Sequence, residues 1–238
     1  MRALWAQAAA ETRLTLRRGE SLLLTLGIPV GLLCFLALTK VFPAPTDRVS
    51  YLVPGILALA VMSTGLVSLS IATAFERDYQ VLKRLGATPL GRGRLVVAKI
   101  LSVVVVEVVQ VAVIAGVGLA LGWAPPAGAV VGIGAVVVGT SAFAGLGLAM
   151  AGRLRGDIVL ALANALWLVL LLLGGMLFPL SKLPGAIRTA SSYLPADALA
   201  SAVRAATTGG AVPAHAWAVL GAWAVAGPVL AAGVFRWE

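Results

Sequence analysis

Residues 100–122 read ILSVVVVEVVQVAVIAGVGLALG, an apolar stretch in which Ser102, Glu107 and Gln110 are the only polar side chains. A helix rises about 1.5 Å per residue, so about 20 such residues span a hydrocarbon layer roughly 30 Å thick. The stretch therefore predicts a transmembrane helix. Similar stretches follow one another along the 238-residue chain, at residues 21–42, 51–74, 127–151, 158–178 and 213–235.

The composition agrees with a membrane protein. Hydrophobic residues make up 61% of the chain and charged residues only 11%, whereas soluble domains carry about 25% charged residues. The net charge of +9 would suit nucleic-acid binding, but the basic residues lie in short segments beside the apolar stretches, so no nucleic-acid partner is expected. Cys34 is the only cysteine, which excludes a disulfide within the chain. We predict a single all-α integral membrane domain, residues 1–238, with six transmembrane helices.

The positive charges predict which side each connection faces. Thirteen Lys and Arg residues fall on the side that holds both termini, and five fall on the other. Because cytoplasmic loops carry the excess of positive charge, both termini are predicted to be cytoplasmic. Frequent Ala, Gly, Val and Arg with little Lys indicate a bacterial protein, hence the plasma membrane. The five outer residues are Lys40, Arg48, Lys182, Arg188 and Arg204.

The inner segment at residues 75–99 reads FERDYQVLKRLGATPLGRGRLVVAK and carries both acids and bases. Helical spacing predicts a short amphipathic helix that ends at Gly86 and lies flat beneath the membrane. A solvated basic loop is the alternative. The acids Glu76 and Asp78 favour a docking face for a partner protein instead, because topology alone requires no acids. Its apolar face is formed by Phe75, Tyr79, Val81, Leu82 and Leu85.

Two further segments border the predicted spans. Residues 1–20 predict an amphipathic helix on the inner membrane surface, with Trp5 and Leu14 toward lipid; a flexible tail is the alternative. Residues 179–212 are too apolar for an ordinary loop and too rich in proline for a span. They predict two short outer helices, the second beginning at Pro195, that re-enter the membrane or form an extracellular cap.

These segments together resemble the type-2 ABC exporter permeases, a family that includes daunorubicin-resistance and polysaccharide-export permeases. The inner segment matches in its acid–arginine–acid triplet Glu76-Arg77-Asp78, its basic pair Lys83-Arg84 and its Thr88-Pro89. The outer segment matches in residues 178–184, FPLSKLP, followed by Tyr193-Leu194-Pro195 and Arg204. The family's usual glycine and threonine are replaced by bulkier residues around Tyr79-Gln80, which is expected to leave the helix intact.

The resemblance implies an ATP-driven exporter in which two permeases assemble with two ATPase subunits. Its cargo would be lipophilic or amphipathic, such as a drug, an antibiotic or a lipid, as in multidrug resistance. The second permease would be another copy of this chain or a relative. The sequence contains no G-x-x-x-x-G-K-(S/T) loop, so ATP and Mg²⁺ are expected on the separate ATPase and no cofactor or metal on this chain. The coupling residues implied are Glu76, Arg77, Asp78, Tyr79, Lys83, Arg84, Thr88 and Pro89.

Within the spans, a small set of residues is expected along the cargo path, which in the family follows the second and fifth spans at the interface between permeases. Helix packing within one subunit is the alternative for each. An ionised acid at bilayer depth costs roughly 2.5–3.5 kcal/mol, so Glu107 is expected to find a partner, such as an arginine near the inner rim. It would contact cargo, relay protons or join helices. The set is Ser63, Thr64, Val67, Glu107, Gln110, Asn164, Trp167 and Leu171.

Two other functional classes are weighed against the exporter. A secondary transporter or channel would need several intramembrane acids or broken spans, and Glu107 is the only acid inside a predicted span. An intramembrane hydrolase would need clustered catalytic groups, whereas His215 is the only histidine and lies at the edge of a span.

Overall fold

The computed structural model describes residues 2–17, 19–39, 47–87, 91–177, 180 and 184–236. All the regular secondary structure in these ranges is helical, which confirms the predicted all-α class. The helices are α1 (Arg2–Arg17), α2 (Gly19–Leu38), α3 (Arg48–Asp78), α4 (Val81–Gly86), α5 (Arg92–Ala120), α6 (Ala127–Ala151), α7 (Gly156–Leu173), α8 (Gly185–Ser191), α9 (Pro195–Thr207) and α10 (Ala214–Val234).

Five of these helices are long and apolar enough to cross a membrane: α3, α5, α6, α7 and α10. They correspond to the second to sixth predicted spans. The first predicted span, residues 21–42, corresponds to α2, whose described apolar part, Thr25–Leu38, is shorter than the other five. Six crossings therefore remain a prediction, and five candidate spans are found among the described residues.

The long helix α3 forms the centre of the bundle. In its most apolar window, 83% of the residues are buried inside the protein, against 50% or less in the other four candidate spans. It contacts α2, α5, α6, α7 and α9. Residues Ser63–Ser68, in its middle, form a π-helical turn, which accommodates one extra residue and is often found at functional sites.

Close backbone contacts hold the bundle together beside α3. A Cβ added to Gly145 on α6 would lie 2.4 Å from the backbone nitrogen of Pro228 on α10. Only glycine allows the two helices to approach this closely, as small residues do in many membrane proteins. The position of α10 against α6 is thereby set.

The inner segment differs from its prediction as a single helix. The helix α3 continues to Asp78, and the chain then turns at Gln80, whose φ of 61° lies in the left-handed region. A new helix, α4, begins at Val81 and ends at the predicted Gly86. The turn allows Leu82 to be fully buried with Leu95 and Phe235. This burial explains why the residues predicted to form one amphipathic helix are divided between α3 and α4.

The outer segment contains two short helices, as its prolines predict, and α9 begins at Pro195. Leu199 and Val203 on α9 are buried in the main core, and the helix packs on α3, α6 and α10. Residues 178, 179 and 181–183 of the outer motif lie outside the described part of the chain. Membrane re-entry by this segment stays a prediction.

Candidate functional site

A buried lysine joins three helices at the end of the bundle that is predicted to face the cytoplasm, here called the inner end. Lys99 on α5 is only 1% exposed, and its Nζ lies 2.7 Å from Glu76 Oε2 on α3 and 2.9 Å from Glu11 Oε1 on α1. Gln7 on α1 also donates a hydrogen bond to Glu11 at 2.9 Å. A buried ammonium is tolerated only when it is paired in this way. We call Glu11, Glu76 and Lys99 the inner triad.

Arg77 and Asp78 contact two other helices. Arg77 is buried and donates from Nη1 to the carbonyl of Ala151 at the end of α6, at 2.8 Å, and from Nη2 to the carbonyl of Leu154. Asp78 Oδ2 accepts a hydrogen bond of 2.8 Å from the backbone N–H of Gly156 at the start of α7. Three consecutive side chains at the end of α3 thus contact α5, α6 and α7.

Three of the predicted coupling residues that follow have exposed side chains, in contrast to the buried Leu82 between them. Tyr79 is 75% exposed and stacks on Phe75, with ring centroids 6.1 Å apart. Lys83 and Arg84 on α4 are also exposed. The predicted coupling residues therefore divide into an inward group, Glu76, Arg77 and Asp78, and an outward group, Tyr79, Lys83 and Arg84. Thr88 and Pro89 lie outside the described residues.

Polar bonds between helices converge on the π-helical turn of α3. Thr64 donates to Gln110 Oε1 on α5 at 3.0 Å, and Gln110 Nε2 donates to the carbonyl of Thr25 on α2 at 2.9 Å. The indole N–H of Trp167 on α7 donates to Ser63 Oγ at 2.8 Å. Four of the predicted path residues are thus brought together here, where they join α2, α3, α5 and α7.

Glu107 is buried on α5, and its described partner is a hydroxyl group rather than an arginine. Its Oε2 pairs with the hydroxyl of Thr140 on α6, which also lies 2.8 Å from the carbonyl of Val136. The other carboxyl oxygen, Oε1, has no hydrogen-bond partner among the described residues. The expectation of an arginine partner is therefore wrong, because α6 places a hydroxyl opposite Glu107.

The other three predicted path residues occupy different surroundings. Val67 lines a cavity near the inner end of the bundle. Leu171 is half-buried against the main core. Asn164 is exposed on α7, and its side chain donates to the carbonyl of Leu160 in its own helix at 2.7 Å. The structure does not bring these three residues together.

A second polar cluster lies at the other end of the bundle. Arg204 on α9 donates to the carbonyls of Gly175 and Met176, both at 3.2 Å, and lies 4.3 Å from the ring centroid of Tyr51. Burial raises the pKa of Asp197, although Ser201 and Arg204 oppose this shift. Burial also lowers the pKa of Arg204. The cluster holds the end of α7 and the start of α3 against α9.

Sequence reasoning did not identify Glu11 or Thr140 as partners of the polar residues. Glu11 could have been singled out from the sequence, because it is one of only nine acids in the chain and lies in a basic helix. Thr140 carried none, since single threonines are common in membrane helices. The predicted inner segment ends at Lys99, whereas α5 begins at Arg92 and places Lys99 inside a helix.

Comparison with protein families gives one match. A family model described as the ABC-2 type transporter matches residues 2–207. The matched range includes the inner triad, the π-helical turn and α9. A search of curated proteins found no matching relative.

Proposed function

The chain belongs to the ABC-2 type transporter family, and from this premise we propose that it is the permease subunit of an ATP-driven exporter. The matched family describes a membrane permease domain, and residues 1–238 contain no G-x-x-x-x-G-K-(S/T) loop. In this proposal ATP and Mg²⁺ are bound by a separate ABC ATPase subunit. The cargo is a lipophilic or amphipathic molecule, such as a drug, an antibiotic or a lipid, that leaves the cell.

The observation that supports this function most directly is the set of contacts that the end of α3 makes with other helices. An ATPase that moves the segment after α3 would move the triplet Glu76, Arg77 and Asp78 with it. Because these side chains contact α5, α6 and α7, the displacement would reach three candidate spans without passing through a flexible loop. Neighbouring packed helices transmit such displacements as rigid elements.

We assign different parts of coupling to the two groups of residues. The outward group, Tyr79, Lys83 and Arg84, contacts the ATPase, since these side chains are exposed. The inward group transmits the movement into the bundle. Thr88 and Pro89 keep their proposed place in the coupling segment on the family resemblance alone.

The proposed complex contains two permeases and two ATPases in a bacterial plasma membrane, with the termini of this chain in the cytoplasm. The second permease is another copy of this chain or a relative. The exposed face of α7, which includes Asn164, Leu168 and Leu172, is apolar apart from its amide and suits a subunit or lipid contact. We place the cargo path beside α3 and α7, with Ser63, Thr64, Val67, Glu107, Gln110, Asn164, Trp167 and Leu171 as the candidate residues.

Co-purification tests the proposed function. The full chain is expressed with candidate ABC ATPase subunits, purified in detergent and returned to lipid. We expect a stable complex whose ATP hydrolysis increases when cargo is added, and a catalytically inactive ATPase variant should abolish transport. A chain that moves cargo into vesicles without any ATPase or ATP would contradict the proposal.

A further inference from the structure

A cavity of about 700 Å³ lies between α1, α3 and α5 at the inner end of the bundle. One end is formed by the inner triad, and the other reaches Thr64 at the π-helical turn. From Glu76 to Thr64 the helix rises by about 18 Å. Cavities of roughly 300–1,000 Å³ are the size that holds drug-like ligands.

The wall of the cavity changes character along its length. Between the two ends it is mainly apolar, and its lining residues include Val67, Leu69, Ile71, Phe75, Val103 and Val106. The charged groups are gathered at the inner end. A molecule with an apolar body and a charged head matches this arrangement, with the head at the membrane surface and the body at membrane depth.

The charges at the inner end favour a positive head. The inner triad contains two carboxylates and one ammonium, so it carries a formal charge of −1. Lys99 is 1% exposed and bonds both carboxylates, whereas Glu11 is 12% and Glu76 23% exposed. An occupant therefore meets more carboxylate oxygen than ammonium. Carboxylates keep lone pairs for further cationic partners, while the ammonium is the less exposed group and already uses two of its three N–H donors on Glu11 and Glu76.

We propose that this cavity binds amphipathic organic cations from the inner leaflet as cargo of the exporter. This inference rests on the proposed function and adds the class of cargo and the place where it first binds. Glu11 and Glu76 bind the cationic head, and the apolar walls of α3 and α5 contact the body. The site lies inside one permease, apart from the helix face that suits a second subunit.

A pair of amphipathic ions with the same apolar body and oppositely charged heads tests the proposal. Decyltrimethylammonium and decyl sulfate are each measured by equilibrium dialysis against the purified full-length permease in lipid nanodiscs, with empty nanodiscs subtracted. We expect the cation to bind at least about tenfold more tightly than the anion, a difference of about 1.4 kcal/mol. Equal binding of the two ions, or no binding of the cation above empty nanodiscs, would overturn the proposal.

Variants locate the site. Glu11→Gln and Glu76→Gln each change the formal charge of the triad from −1 to zero. Ser68→Trp adds bulk to the cavity wall and leaves the three residues of the triad unchanged. We expect each variant to weaken cation binding about tenfold. Asp157→Asn removes an exposed acid on α7, outside the cavity, and should leave binding unchanged. Wild-type affinity in Ser68→Trp would overturn the proposal even if the glutamine variants unfold α1.

The outcome is separable from that of the proposed function, because the dialysis contains no ATPase. A permease that assembles with its ATPase but does not bind decyltrimethylammonium would overturn the cavity proposal and leave the exporter assignment standing. Conversely, a permease that binds the cation but transports without any ATPase would support the cavity proposal and contradict the assignment as an ATP-driven exporter.

Discussion

Asp78 Oδ2 accepts a hydrogen bond of 2.8 Å from the backbone N–H of Gly156, so the end of α3 caps the start of α7. The first N–H groups of a helix have no partners within that helix, and a negative charge is favourable beside them. In most proteins the capping residue directly precedes its helix. Here the cap comes from another candidate span, which links the positions of two helices at the cytoplasmic end predicted by the charge distribution.

Removal of this cap is expected to affect both stability and coupling. We predict that Asp78→Ala lowers the stability of the permease by about 1 kcal/mol, the usual cost of losing a cap. Cargo-stimulated ATP hydrolysis should fall, while ATPase binding remains. Thermal unfolding in detergent and hydrolysis in lipid measure the two effects. Asp157→Asn, in the exposed first turn of α7, is the control, and an equal effect there would contradict the role of the cap.

Tyr79 is expected to matter for assembly rather than for folding. Its ring is 75% exposed, and exposed aromatic side chains often dominate the energy of a protein interface. We predict that Tyr79→Ala weakens ATPase binding about tenfold, or 1.4 kcal/mol, with an unchanged unfolding midpoint. Tyr193→Ala, an exposed tyrosine near the outer helices, should retain full binding. If Tyr79→Ala binds the ATPase with normal affinity, Tyr79 is not part of the surface that contacts the ATPase.

The sequence was sufficient to predict the class of fold because apolar stretches of about 20 residues have few alternatives to a membrane helix. It also predicted the end of α4 at Gly86 and the start of α9 at Pro195, where backbone chemistry is local. It could not reveal that the acid–arginine–acid triplet turns inward. Their partners on other helices lie at least 20 residues away along the chain, and only the packing of α5, α6 and α7 around α3 brings them together.

Lys99 is expected to be required for stability as long as Glu11 and Glu76 are present, because it neutralises their charges. We predict that Lys99→Met destabilises the permease by about 3–5 kcal/mol, since removal of one partner leaves uncompensated charges in a buried site. Combining it with Glu11→Gln and Glu76→Gln should restore most of that stability, because the site then holds no charge. Unfolding midpoints in detergent measure both variants. If the triple variant is less stable than Lys99→Met, electrostatic pairing is not the reason for the lysine.

Asp197 should make the stability of the protein depend on pH. Because burial raises the pKa of this carboxyl, the folded protein holds its proton more tightly than the unfolded chain does. The ionised form is therefore unfavourable in the folded state near neutral pH, and this effect disappears below about pH 4. We predict that Asp197→Asn unfolds at a higher temperature than the wild type at neutral pH.

The two unfolding midpoints should converge as the pH falls, and a pH series of thermal unfolding curves measures this. The matched control is Asp157→Asn, which makes the same substitution at an exposed acid on the start of α7. A difference between Asp197→Asn and wild type that is the same at every pH would show that the amide acts through packing and not through ionisation.

Gly147 is expected to be required by the π-helical turn. A Cβ at this position on α6 would lie 2.8 Å from the carbonyl oxygen of Gly65 and 3.0 Å from that of Leu66, both in the turn. Backbone atoms cannot move aside as a flexible side chain can. We predict that Gly147→Ala costs about 1–3 kcal/mol of stability, as overpacked cores do, or forces the turn away from α6.

The matched control is Gly116→Ala on α5, where an added Cβ would meet nothing within 4 Å. There the change should be neutral or stabilising, because alanine favours helices over glycine by about 1 kcal/mol. Unfolding midpoints and cargo-stimulated hydrolysis measure both variants. If Gly147→Ala keeps wild-type stability and coupling, the close contact between α6 and the turn does not constrain α3. If Gly147→Ala instead loses coupling but little stability, the π-helical turn is the place where movement of Glu76, Arg77 and Asp78 is transmitted to the outer half of α3.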